Sequence, residues 1–341
     1  MPHPPSRRTL RPFSHWRRGS TLLIAGLLAT TGVVTAAEPA AAGTCPAIVY
    51  VTSLLDNTVT PIDAPGNTPG STIPVGHNPA GIAFTPSGTT AYVTHLSDDT
   101  VIPIAVATNA PGTPIPAGRM PFKIAITPNG ATAYVTDYLG SSVTPIDLAT
   151  RTPGTPIRVG DYPTAIAITP NGATAYVTHT NSNSVTPIDL ATNTPGTPIP
   201  LPDNPREIAI TPDGATAYVT RPGSNSVTPI DLTTNTPGAA IPVGTYPMAV
   251  ATTPDGATAY VTNRDDNTVT PITVATNTPG TAIPVGHGPI AITITPDGTT
   301  AYVANSGDYT VTPVAVATST VGTPIPVGRY PVGIAAAPAL S

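Results

Sequence analysis

"ITPDGATAYVT" occupies residues 210–220, and close copies stand at 84–94, 126–136, 168–178, 252–262 and 294–304. Within it, "PDG" is a turn signal, with Pro212 setting φ and Gly214 supplying positive φ. "TAYVT" (216–220) alternates, placing Thr216, Tyr218 and Thr220 on one face of a strand and Ala217 and Val219 on the other. Working outward, "EIAIT" (207–211) is an inner apolar strand. The stretch "VTPIDLT" (227–233) is a third strand, "NTPG" a turn, and "AAIPVG" (239–244) a fourth. The spacing therefore predicts four antiparallel strands per unit, joined by tight turns.

The triplet tyrosines Tyr50, Tyr92, Tyr134, Tyr176, Tyr218, Tyr260 and Tyr302 are each 42 residues apart, so the unit has constant size. The 46 prolines and 30 glycines of the 341-residue chain fall in register with it and read as turn and edge devices. Four strands per 42 residues fit the blade of a β-propeller better than a solenoid coil. The two ends complete one another. The first triplet lacks a preceding hairpin strand, while "RYPVGIAAAP" (329–338) begins one more unit and stops. Strand 332–337 is thus expected to complete a blade supplied mainly by 47–75. That closes a seven-bladed, all-β ring and protects the sheet edges. Pro61, Pro103, Pro145, Pro187, Pro229, Pro271 and Pro313 sit in the third strands. They demand either a bulge or a missing donor that faces away from its neighbour.

Residues 1–44 read separately. Five arginines precede an uncharged run, Thr21–Ala37, followed by small residues. This is the order of a bacterial export signal, with cleavage expected near Ala36–Ala42. The apolar run is too short and too rich in Gly and Thr for a membrane span. Paired arginines leave the general secretory and twin-arginine routes both open. Without the signal, 8 basic and 17 acidic residues remain, which argues against duplex nucleic acid as a partner. Cys45 is the only cysteine, so no intramolecular disulfide forms. Lipidation there is disfavoured by Thr44 and by the distance from the apolar run.

The triplets, "TPDG" and the period resemble the YVTN-repeat (YncE-like) seven-bladed propellers of bacteria, over about 45–338. The resemblance implies an exported or cell-surface binding module. Propellers of similar shape include lactonases, haem-binding nitrite-reductase propellers and quinoproteins. Trp16, the only tryptophan, lies in the signal, so a quinone stacked on tryptophan is not expected, and no cofactor is implied.

Differences between the seven copies gather in two loop sets that a four-stranded blade sends to the same end of the ring. One joins each blade to the next ("GHNPAG", "GRMPFK", "GDYPTA", "PDNPRE", "GTYPMA", "GHGPIA", "GRYPVG"). The other follows the triplet ("SLLDN" through "NSGDY"). Variable loops on a rigid scaffold are where binding concentrates. The candidate binding residues on this face are His77, His95, Arg119, Lys123, Asp137, Asp161, Tyr162, His179, Asp203, Arg206, Glu207, Arg221, Tyr246, His287, Arg329 and Tyr330. Mixed charge with aromatics suits a peptide, a glycan or a small polar ligand, bound by a monomer. Propeller faces are also polar simply because they are wet. His77 and His95, in one blade, are the metal candidates, although "GH" at 76–77 equally fits a structural hydrogen bond. Glu207, the only glutamate outside the signal, is the catalytic candidate at the channel mouth. An ion pair with Arg206 or with a neighbouring loop is the simpler reading. A lactonase-like, metal-dependent hydrolase and a passive envelope component are the alternatives to a binding module.

Overall fold

A computed structural model of the chain describes residues 48–338. The export signal, its cleavage region and Cys45 lie outside the described residues. The described chain is all-β, with one short 3₁₀ turn at Pro222–Ser224. Its strands form seven antiparallel sheets in sequence order, the blades of a β-propeller. Blade 1 contains Ile48–Ser53. The inner strands of blades 2 to 7 are Pro79–Phe84, Pro121–Ile126, Pro163–Ile168, Ile208–Ile210, Pro247–Thr252 and Pro289–Ile294.

Closure occurs as the repeat arithmetic requires. Pro331–Ala336 pairs antiparallel with Ile48–Ser53, placing Val49 opposite Ala336 and Val51 opposite Ile334. The last strand is thus the innermost strand of blade 1.

Blades adhere because both faces of every middle strand are buried. Tyr134, Val143 and Ile157 of blade 3 interlock with Ile166, Ala175, Val177 and Ile188 of blade 4. Equivalent clusters form at all seven junctions. The tyrosine ring faces the following blade and the Ala/Val face the preceding one, so one alternating strand serves two interfaces.

Each tyrosine hydroxyl also reaches across. Tyr134, Tyr176 and Tyr218 donate to the Oδ1 of Asn193, Asn235 and Asn277 at 2.8, 2.8 and 2.6 Å. Tyr50 donates to Asn109. Tyr302 donates to Asn67 at 2.7 Å, bolting blade 7 to blade 1. The acceptor asparagines hold φ of +50° to +55°, the left-handed region that asparagine tolerates well. The same residue therefore makes the turn and receives the bolt. Arg151 and Ser319 occupy this position at the two exceptions, and there Tyr260 falls back on the Val316 carbonyl at 3.3 Å.

Two expectations need refinement. The fourth strand is not one piece. It divides into two-residue segments, such as Thr236–Pro237 and Ile241–Pro242, both paired with the third strand. "TPG" consequently belongs to the outer strand, and the turn lies earlier, ending at Asn235. The division also accounts for the third-strand prolines. Tyr218 faces Pro229 in unbroken register, and the Pro229 carbonyl accepts the Gly238 N–H at 2.7 Å. In an extended residue N–H and C=O point the same way, so the donor that Pro229 lacks faces the interruption in the outer strand. No ladder bond is lost.

Candidate functional site

The two variable loop sets meet at one end of the ring. Leu54 N–H donates to the Tyr330 carbonyl at 3.1 Å, Tyr138 to Met120 at 3.0 Å, Thr180 to Tyr162 at 3.3 Å and Arg264 to Tyr246 at 3.1 Å. Several aspartates on this face are occupied in holding it. Asp98, Asp266, Asp308 and Asp56 accept the backbone N–H of His77, Thr245, His287 and Arg329, each at 2.6 Å. The carboxylates of Asp98 and Asp56 consequently lie below the usual range, with hydrogen bonds from His77 and Arg329 as the stabilising causes.

At the axis the loop face sinks into a pocket of about 330 Å³. Its wall is built by the residue that follows the proline of each inter-blade loop, notably Phe122, Thr164, Arg206, Met248, Ile290 and Val332. These residues are rigidly set. For Phe122, Arg206 and Met248 the triplet threonine of the preceding blade is buried and bonds their main chain. Thr94 donates to the Phe122 carbonyl at 2.9 Å, Thr178 to Arg206 at 2.8 Å and Thr220 to Met248 at 3.3 Å. The same hydroxyls accept N–H groups at the register shift of their own inner strand, as Thr178 does from Ala165 at 3.0 Å. The "T" of the triplet is thus the brace of the channel mouth.

Glu207 and Lys123 form an ion pair across the mouth, Nζ to Oε2 at 2.6 Å, with side chains 16 and 25 % exposed. The lysine comes from blade 3 and the glutamate from blade 5, so the pair spans blade 4. Of the partners expected for Glu207, Arg206 is not the one used; the pair runs across to the inter-blade segment that carries Lys123. Arg206 is half-buried on the pocket wall, and among the described residues no carboxylate pairs with it. Arg264 lies 5.6 Å from the centre of the Tyr246 ring and 3.9 Å from Asp265.

From Phe122 on the pocket wall, a tilted aromatic run continues to Tyr138 and Tyr162, with ring centres 6.0 and 5.0 Å apart. Tyr162, Tyr246 and Tyr330 are exposed. Their backbones share a conformation: φ is +53°, +56° and +57°, and Met120 at the equivalent position has +56°. Asn78 and Gly288 fill that position in two other blades. Asparagine and glycine suit the left-handed region, whereas tyrosine and methionine are uncommon there.

The other candidates separate into two groups. His77 and His287 are exposed, and each Nδ1 meets an aspartate Oδ1 at 2.9 Å, Asp98 and Asp308. Arg329 pairs with Asp56 at 2.6 Å. Arg119 and Asp161 are exposed, and Ser141 donates to Asp161 at 3.1 Å. His95, Asp137, His179 and Arg221, by contrast, are buried within their blades rather than displayed on the loop face. They close the middle strand, and Asp137, His179 and Arg221 turn back onto hydroxyls of the third strand, whereas His95 has Ile102 in place of that threonine. His179 Nε2 meets Thr186 at 2.9 Å, and Arg221 Nη1 donates to Thr228 at 2.9 Å while its Nε binds Asp203. Ser142 and Thr144 donate to Asp137, both at 2.7 Å. Burial lowers His95 and His179 to about 4 and raises Asp137 to about 6. His95 and His77 therefore do not form an open metal site. Among the described residues no group of three or more His, Cys, Asp and Glu is placed to hold a metal.

The apolar wall (Leu54, Leu96, Phe122, Met248, Ile290 and Val332) was not among the residues singled out from the sequence. Its signal was present, since the residue after the loop proline differs in all seven copies.

No protein-family model matches the chain, and no curated protein matches it in sequence. Solved structures do. Hydrazine synthase of Kuenenia stuttgartiensis aligns at 24 % identity with a TM-score of 0.70, over 76 % of this chain and 90 % of that one. A protein of unknown function from Desulfotomaculum acetoxidans aligns at 18 % and 0.76, over 85 % and 98 %. A protein from Bacteroides uniformis, provisionally named a 6-phosphogluconolactonase, aligns at 16 % and 0.72, over 85 % and 99 %. At such identities the likeness is one of fold: this chain is a seven-bladed β-propeller of a kind found among bacterial proteins.

Proposed function

We propose that the protein is an exported, YVTN-type propeller that binds a ligand through its loop face, over the axial pocket. The observation that carries this reading is the cost accepted at one backbone position. Met120, Tyr162, Tyr246 and Tyr330 hold a left-handed conformation that asparagine or glycine serves better at the same place in other blades. Four large side chains are thereby projected around one face. Strain of this kind clusters where function requires it. The pocket behind them is concave, largely apolar and provided with a few polar groups, as ligand sites are.

The test is a binding survey of purified protein on glycan and peptide arrays, with Tyr162→Asn, Tyr246→Asn and Tyr330→Asn combined in one variant. Binding by the parent and its loss in a well-folded variant is the expected result. Unchanged binding by the variant refutes the reading. Export is tested separately, by fractionating cells that carry the full chain and sequencing the N-terminus of the product.

A lactonase-like hydrolase remains the alternative. In its favour stand Glu207 at the channel mouth and the likeness to the Bacteroides protein. The Lys123 pair occupies that carboxylate, and the described residues offer no three-donor metal cluster, so the binding reading is preferred.

A further inference from the structure

The axial pocket has two chemically distinct arcs. Blades 7, 1 and 2 contribute Ile290, Val332, Leu54 and Leu96, all half-buried. Blades 3 to 6 contribute a mixed arc, with Lys123, Thr164, Arg206 and Glu207 between the apolar Phe122 and Met248, and Arg264 and Tyr246 on the rim. Three of the eight basic residues that follow position 44 line this one depression, against a single carboxylate. That concentration stands out in a chain whose charge balance is acidic. Lys123 is neutralised by Glu207, and Arg264 is in part engaged by Asp265 and Tyr246. Arg206 is left on the wall without a carboxylate. A half-buried, unpaired guanidinium beside an apolar surface is an anion receptor in search of a counter-charge.

We infer that the pocket takes a small amphipathic organic anion, its carboxylate on Arg206 and Arg264 and its apolar body against Leu54, Leu96, Ile290 and Val332. This rests on the reading of the loop face as a binding surface and gives that surface a ligand class. The braces described above support it. Thr178 donates to the Arg206 carbonyl and the Arg206 N–H donates to the Thr220 carbonyl at 2.9 Å, so the guanidinium is delivered from a main chain tied on both sides, just ahead of the inner strand. Arg264 comes from the adjacent blade, so two blades together define the headgroup site. The volume of about 330 Å³ lies at the small end of ligand pockets, which favours a compact molecule over a polymer. Glu207 acts as a competitor. It occupies Lys123 and keeps a negative charge at the mouth, so removing it releases a third cation for the ligand.

Isothermal titration of the full chain with sodium octanoate, sodium acetate and 1-octanol tests the assignment. Octanoate is expected to bind more tightly than either, because acetate lacks the apolar body and octanol lacks the charge. R206Q is expected to weaken octanoate roughly tenfold or more, the scale of one charge-assisted hydrogen bond. R264Q should weaken it less. E207Q should strengthen it, an outcome that general destabilisation of the mouth would not produce, and circular dichroism melts confirm that each variant is folded. Octanoate binding no tighter than octanol, or equal to acetate, overturns the proposal. So does an R206Q protein that binds octanoate as the parent does. Should octanoate fail while the tyrosine variant still loses its array ligand, the ligand class is wrong and the binding face stands. Should octanoate bind and the tyrosine variant keep its array binding, the face reading falls and the pocket stands.

Discussion

Asp137→Asn is expected to stabilise the protein at neutral pH, and the chain itself contains the precedent. Asp137 is wholly buried, and its pKa is about 6, raised chiefly by burial and slightly by the charge of Asp99. The ordinary value is 3.8. A carboxyl with a raised folded pKa binds its proton more tightly folded than unfolded, so ionisation opposes folding. The penalty is absent below about pH 4, develops as pH rises toward 6 and is complete above that. About two pH units correspond to roughly 3 kcal/mol, an upper bound because the structure can relax around the charge. Asparagine removes the charge and keeps the shape. At the equivalent positions Asn263 donates to Thr268 and Thr270 at 3.0 and 2.8 Å, and Asn305 to Thr310 and Thr312 at 3.1 and 2.8 Å. The hydroxyls of Ser142 and Thr144 need only rotate from donor to acceptor. Urea unfolding of both proteins at pH 7.5 and pH 4 is the assay. A gain of about 2 kcal/mol at pH 7.5, worth a few degrees in Tm for a domain of this size, should shrink toward zero at pH 4. A variant less stable than the parent at pH 7.5, or a gain that ignores pH, refutes the reasoning.

Ser319→Asn should strengthen the junction of blades 6 and 7, by giving the Tyr260 hydroxyl an acceptor and a left-handed position a residue that suits it; about 1 kcal/mol in thermal unfolding is expected. Thr178→Val removes both the brace on the Arg206 carbonyl and the acceptor of Ala165 N–H, and should cost about 2 kcal/mol in denaturant unfolding. The Tyr162→Asn, Tyr246→Asn and Tyr330→Asn set should melt at a higher temperature than the parent, by about 1 kcal/mol per site, while losing ligand. Gly118→Ala should fail to fold normally, because a Cβ there would lie 2.1 Å from the Asp137 carboxyl carbon, and proteolytic sensitivity will report it.

What the sequence made legible follows from how local each constraint is. The period, the turns and the ring closure all rest on chain-local signals, namely Pro-Asp-Gly, alternation and spacing, and each reappears in the sheet pairing. The inter-blade bolts were not legible. Tyr176 and Asn235 stand 59 residues apart, and nothing in either local stretch names the other. Asn235 already had a sufficient reason to be asparagine as a turn residue. The apolar pocket wall was hidden differently. It draws one or two residues from each of several blades, so no single stretch contains enough of it to be read as a hydrophobic surface.

Variation among the repeats has two opposite causes, and confusing them misplaces a binding site. The position after the triplet carries Ser53, His95, Asp137, His179, Arg221, Asn263 and Asn305, five residue types in seven copies. All are nonetheless buried, and most face third-strand hydroxyls that can donate or accept. A hydroxyl can donate to a carboxylate or accept from an amide or a guanidinium, so this cell admits several residue types without any ligand, although the buried carboxylate of Asp137 is the least favourable of them. The left-handed loop position behaves in the reverse way. There the backbone sets a strict preference, and Tyr162, Tyr246 and Tyr330 violate it while exposed. Diversity that costs the fold nothing says little about function. Diversity that opposes the local backbone, on side chains open to solvent, is the kind that a binding surface has to explain.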